Sequence, residues 1–170
     1  ELDRLLRRYL ADEGHLRPTL TMRLRDSADG AEKRLTIDVV TGLRSLDRMI
    51  RFIGQEQVTA ARLATLVTAD RAADAWAGGD ELVKAVMGSY RAEGFLEARA
   101  TRHPPEFDGE NASLTVEIVE GPVFRVSEVE VEGAVRWAST RVRAAAGVTP
   151  GAVYEPSLGE RVRTAILAAY

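Results

Sequence analysis

Two stretches of this chain share one pattern of landmarks, 79 residues apart. Leu114–Gly133 reads LTVEIVEGPVFRVSEVEVEG and Leu35–Gly54 reads LTIDVVTGLRSLDRMIRFIG; Leu114 follows Leu35, Gly121 follows Gly42 and Gly133 follows Gly54 by the same 79 positions. In the later stretch Leu114, Val116 and Ile118 alternate with Thr115, Glu117 and Val119, the period of a half-buried strand. Gly121-Pro122 punctuates it, since glycine admits backbone angles that other residues avoid and proline fixes φ and gives up its donor. Val129 and Val131 then alternate with Glu128, Glu130 and Glu132 as a second strand. A repeat of this length confines the chain to small supersecondary units of roughly 80 residues.

The helices obey the same repeat. Glu1–Gly14 is amphipathic, with Leu2, Leu5, Leu6, Tyr9 and Leu10 at helical spacing and Gly14 as its stop; Asp80–Gly94 carries Leu82, Ala85, Val86 and Tyr90 on one face and stops at Gly94, 80 positions later. Arg161–Tyr170, RVRTAILAAY, matches Glu81–Tyr90, ELVKAVMGSY, again 80 apart. Between these landmarks the pattern predicts strands at Thr19–Arg25 and Leu35–Val40 around a loop at Asp26–Gly30, a strand at Leu46–Ile53, and a short helix at Thr59–Leu66 with Thr59 as N-cap. Thr68–Gly79 reads as irregular, with Trp76 packed where two helices meet. Leu96–Arg102 and Leu114–Val119 are strands around a polar hairpin loop at Pro104–Asn111. A strand from Val123 to Glu132, a helix over Ser139–Ala146, a loop at Gly147–Pro156 and a helix from Leu158 follow.

The repeating unit is therefore β-α-α-β-β. Residues 43–120 hold one whole copy, residues 1–42 the last helix and two strands of a preceding copy, and residues 121–170 the first strand and two helices of a following one. Such a division is expected of a piece of a longer protein. No Gly/Ser-rich stretch separates the copies, so the joints at Gly42, Gly121 and Pro122 are expected to hold them at a limited range of angles, with Pro122 stiffening the second joint.

At this point the chain resembles the polypeptide-transport-associated (POTRA) domain. The resemblance rests on Val116-x-Ile118-x-Glu120-Gly121-Pro122-x-Phe124, on the closing Val129-x-Val131-x-Gly133, and on the helix end Leu82…Tyr90-x-x-x-Gly94-Phe95. Gly42-Leu43 lacks the proline, and Leu10 stands where Tyr90 aligns. The resemblance implies an α+β fold of tandem units, each with two helices on one face of a three-stranded mixed sheet whose second strand lies at an edge. It further implies the periplasmic part of a bacterial outer-membrane protein with a C-terminal β-barrel of its own. Such a part has no catalytic site and no cofactor. The module would dock unfolded outer-membrane β-barrel proteins and accessory periplasmic proteins or lipoproteins by edge-strand addition, in assembly, insertion or secretion of membrane proteins.

An edge strand offers unpaired N–H and C=O groups to an extended peptide, and that pairing is nearly blind to sequence. In the complete copy the expected edge is Leu96, Glu97, Ala98, Arg99, Ala100, Thr101 and Arg102, which contains small residues and no proline. The competing reading is a sheet edge protected by its charges. Val83, Met87 and Phe95 are the candidates for an adjoining groove, and core packing accounts equally for their spacing.

Composition narrows the other classes. With no cysteine, thiol catalysis and cysteine-ligated metals are excluded. A net charge of −3 offers no basic field to nucleic acid. A KH-type RNA-binding domain shares the β-α-α-β order but requires a Gly-x-x-Gly loop between its helices, where this chain has only Gly78-Gly79. A single membrane-anchored interaction module of division or secretion machinery is the remaining alternative, and tandem copies argue against it. His15 and His103 stand apart without metal-ligand spacing, and Glu117, Glu120, Glu128, Glu130 and Glu132 form an acidic cluster without a calcium-loop pattern. No metal site and no nucleophile motif is present.

Overall fold

A computed structural model describes residues 1–26, 32–132 and 138–169. The expectations that rest on Gly133 and Tyr170, and most of the loop at Asp26–Gly30, lie outside the described residues. The chain opens with α1 (Leu2–Asp12), followed by a hairpin of β1 (Thr19–Asp26) and β2 (Lys33–Val40), antiparallel with Thr19 opposite Val40 and Asp26 opposite Lys33. This hairpin is a sheet of its own. Its apolar side chains Met22, Leu24, Leu35 and Val39 stay exposed, because no helix covers that face among the described residues.

The main sheet comprises β3 (Asp47–Ile53), β4 (Arg99–Arg102), β5 (Glu106–Asp108) and β6 (Asn111–Val119). β6 is central: β3 runs parallel to it on one side, with Ile50 opposite Leu114, and β4 and β5 run antiparallel to it on the other. Three helices, α2 (Ala60–Ala64), α3 (Ala69–Trp76) and α4 (Glu81–Ala92), lie between β3 and β4 in sequence. The alternation that marked Leu114–Val119 as a strand places Leu114 and Val116 at 0% exposure and Ile118 at 2%, in one cluster with Leu63, Leu82, Val86 and Tyr90. The central strand is the one whose sequence alternates most cleanly, because both its neighbours and the helices depend on its inward face.

Four expectations change. Thr68–Gly79 is mostly helix: α3 is capped by Thr68, whose hydroxyl accepts the Arg71 N–H, and it buries Ala73, Ala75 and Trp76. The polar loop at Pro104–Asn111 contains the short strand β5, which pairs Phe107 with Ala112. The edge strand begins at Arg99; Leu96–Ala98 form a turn, in which the Ala98 N–H donates to the Phe95 carbonyl. From Val123 to Glu132 no strand forms; Arg125 bridges to Val153, and backbone bonds tie Phe124 to Tyr154 and Val126 to Gly151 and Ala152, but this pairing stops at Val126 among the described residues. Downstream, α5 (Ser139–Ala146) and α6 (Leu158–Ala169) form as expected.

Two pieces of local geometry recur 80 positions apart. After α1 the His15 N–H reaches back to the Leu10 carbonyl (2.7 Å) across Gly14 at φ 92°; after α4 the Phe95 N–H reaches back to the Tyr90 carbonyl (3.0 Å) across Gly94 at φ 88°. Both are left-handed glycine caps, which close a helix by a bond from the second residue past its end. Each glycine carbonyl then accepts a backbone N–H from the next stretch of chain: Ser45 on Gly14 and Phe124 on Gly94, each at 2.8 Å. Gly42 and Gly121 share φ values of 71° and 70° and face equivalent positions 80 residues apart: a side chain on Gly42 would crowd the Arg17 carbonyl, and one on Gly121 would touch Glu97.

Candidate functional site

β4 is an outer strand of the main sheet, as the edge reading requires, but it is short and its continuation is broken. The ladder runs through Arg99–Arg102 and on to the His103 N–H, which donates to the Thr115 carbonyl (2.9 Å). Pro104-Pro105 then interrupts it before β5 resumes. Arg99 and Thr101 face solvent, whereas Ala100 is half-buried and Ala98 is buried in the core. Glu97 is exposed and Leu96 half-buried in the preceding turn. Arg102 turns toward the helices, where its guanidinium donates to the Gly78 carbonyl (3.3 Å).

Of the three groove candidates, Phe95 is buried and meets the Tyr90 ring edge-on, with centroids 5.5 Å apart. Met87 packs half-buried against the core, and Val83 is half-buried. Pro122 is exposed at the second joint. His103 lies 2.8 Å from the Glu117 carboxylate on the exposed surface, a pairing its isolation in sequence concealed. No group of three metal-ligating side chains occurs among the described residues. Glu128, Glu130 and Glu132 are exposed, as the alternation predicts.

Glu120 departs from that acidic cluster. It is 8% exposed and its carboxylate accepts the Tyr90 hydroxyl (2.8 Å) and the backbone N–H groups of Glu56 (2.9 Å), Gln57 (3.0 Å) and Val58 (3.3 Å). Burial opposes its charge, but the Tyr90 hydroxyl and the three N–H donors outweigh that and hold the carboxyl below the usual glutamate range. Burial and the same carboxylate push the Tyr90 hydroxyl well above an ordinary tyrosine. This buried charge anchors the loop between β3 and α2 to the end of β6, and so fixes how β3 enters the helical layer. Sequence could not pair it, since its backbone partners lie over sixty positions upstream.

Asp74 performs a similar task between helices. Its carboxylate accepts the Arg4 guanidinium (2.8 Å) and the Glu81 N–H (2.9 Å), so it fastens α1 to α3 and caps α4. A side chain on Gly79 would collide with it. Burial works against its charge, and the bonds to Arg4 and Glu81 reverse that and lower its pKa. Around the same joint Arg48 donates to the Ala11 carbonyl (2.7 Å), Arg44 to the Glu13 carbonyl (2.8 Å), and Arg17 lies 4.1 Å above the Phe107 ring.

These elements define an α+β fold in which the helices lie between the first two strands in sequence and the last strand is central. The same fold occurs in a crystal structure of Haemophilus influenzae BamA POTRA3-5, which is 19% identical; the match covers 98% of this chain and 67% of that one, with a TM-score of 0.58. A second solved structure, the N-terminal domain of Omp85 from Thermosynechococcus elongatus, is 15% identical, with 89% of this chain and 64% of that one covered and a TM-score of 0.36. Neither a protein-family model nor a curated protein matches the chain. The chain has the POTRA fold.

Proposed function

We propose that this chain is the periplasmic docking part of an outer-membrane protein assembly or translocation factor. In this reading residues 1–42, 43–120 and 121–170 are the partial, complete and partial units of a tandem array. The array receives unfolded β-barrel strands and accessory proteins by strand addition, carries out no catalysis, and works beside the parent's own C-terminal barrel. The observation that carries the reading is a POTRA-fold sheet whose outer strand β4 leaves main-chain donors and acceptors unpaired among the described residues. No helix among the described residues is long and apolar enough to cross a membrane.

The candidate residues follow from that geometry. Arg99, Ala100, Thr101 and Arg102 supply the pairing edge, with Glu97 exposed at its entrance. Val83 and Met87 are half-buried on α4, the helix in contact with β4, while Phe95 is buried in the core before the turn. The reading is tested by an NMR titration of the labelled chain with an extended peptide from an outer-membrane β-strand. Amide shifts concentrated on Arg99–Arg102 are expected. A folded chain whose amides stay unmoved at millimolar peptide would contradict strand capture.

A further inference from the structure

The opposite edge of the same sheet is longer and better furnished than β4. β3 runs seven residues without proline or glycine and pairs only with β6, so its outer edge is open among the described residues. Beside it lies a cleft of about 550 Å³ between the strand and the helices. Ile50 and Phe52 form its floor, while Ala60 and Ala64 of α2, Val67 and Ala72 line the helical side. Alanines on that side leave room for large side chains, and side chains alternate along a strand, so a strand laid along β3 would send every second residue into the cleft.

The other face of β3 supplies a polar criterion. Asp47, Met49, Arg51 and Ile53 are exposed there. Arg48 is engaged by α1 carbonyls, but Arg51 meets only the Met49 sulfur (3.2 Å) among the described residues. With Asp47, Arg48 and Arg51 the strand carries one net positive charge. A carboxylate opposite Arg51 on an added strand would form a cross-strand pair, and a cation there would be repelled.

We propose that the outer edge of β3 and its cleft form a second strand-addition site, distinct from β4. Its occupant is an extended segment of another protein with bulky apolar side chains at alternate positions and a carboxylate opposite Arg51. The proposal rests on the edge-addition reading above and assigns it a second place and a selectivity.

The test uses the peptide Val-Thr-Phe-Glu-Phe-Thr-Val, which reads the same in either strand direction; with its glutamate opposite Arg51 it spans Arg48–Gly54 and sets its two phenylalanines opposite Ile50 and Phe52, on the cleft side. A control peptide carries lysine at the centre. The expected result is amide shifts over Asp47–Ile53 with the glutamate peptide and weaker binding of the lysine peptide. Ala64→Trp, at an exposed cleft position, should weaken binding by at least about tenfold. Arg51→Glu should reverse the preference between the two peptides, and unchanged amides of Leu114 and Tyr90 verify that both variants keep the core. Shifts confined to Arg99–Arg102 would overturn the second site and leave the β4 reading standing. Shifts on neither edge would overturn both, and β3 binding indifferent to both variants would overturn the proposed recognition.

Discussion

Glu120 shows how a single side chain governs the middle of this molecule. Because its folded pKa is depressed, the stability it contributes is present above its ordinary value near 4.5 and is lost as pH falls through the lower folded value. Asp74 acts in the same direction. Urea unfolding is therefore expected to show stability falling as pH drops below about 4.5, and Glu120→Gln should flatten part of that acid limb. At neutral pH the same variant should cost about 1–3 kcal/mol, since buried N–H donors lose a charged acceptor. Two glycines give a contrasting pair. Gly54, at φ 84°, would drive a side chain into the Ile118 carbonyl, so Gly54→Ala should destabilise by about 2–4 kcal/mol. Gly88 lies inside α4 with open space around it, and Gly88→Ala should stabilise by about 0.5–1 kcal/mol. Thermal unfolding of both variants measures the difference. The glycines at helix ends and joints were legible in sequence because position alone implied positive φ. The burial of Glu120 was not: it ends a strand among other glutamates, and its partners come from a distant loop.

At the scale of elements, α1 is fixed to the rest of the fold by α3, the helix that sequence reading missed. Ala69–Trp76 buries alanines and a single large apolar side chain, Trp76, so there was no run of large apolar residues to mark a helix, and the Thr68 cap was the available signal. Its consequence is a joint stapled by Arg4 to buried Asp74, with Arg8 to Asp70 (2.7 Å) on the exposed side. The exposed pair contributes little by itself, whereas loss of Arg4 leaves a buried carboxylate short of a partner. Arg4→Gln should therefore accelerate hydrogen exchange in α1 far more than Arg8→Gln, with α4 protected in both. Equal effects would refute the division of labour between them. The second joint keeps the Gly94–Phe124 bond, but Thr149–Pro156 stands where α3 would align and forms a loop rather than a helix. The two joints are built alike in backbone and differently in side chains.

Across the whole molecule, the POTRA fold sets β3 and β4 on opposite sides of β6, their outer edges unpaired among the described residues. The alternation of Leu114, Val116 and Ile118 announced the central strand directly. Which strands lie outermost is a property of pairing rather than of any one segment, so the sequence marked Leu46–Ile53 as a strand without marking its outer edge as a site. The hairpin β5 was concealed for the opposite reason: three residues beside a proline pair carry too short a pattern. In the proposed function these edges capture extended chain. Hydrogen exchange measured by mass spectrometry, with and without an unfolded outer-membrane barrel protein held soluble at low denaturant, tests it most directly. New protection is expected over Asp47–Ile53 and Arg99–Arg102 while the already protected Leu114–Ile118 stays unchanged. Binding without protection at either edge, or protection confined to the exposed faces of α4 and α6, would contradict it.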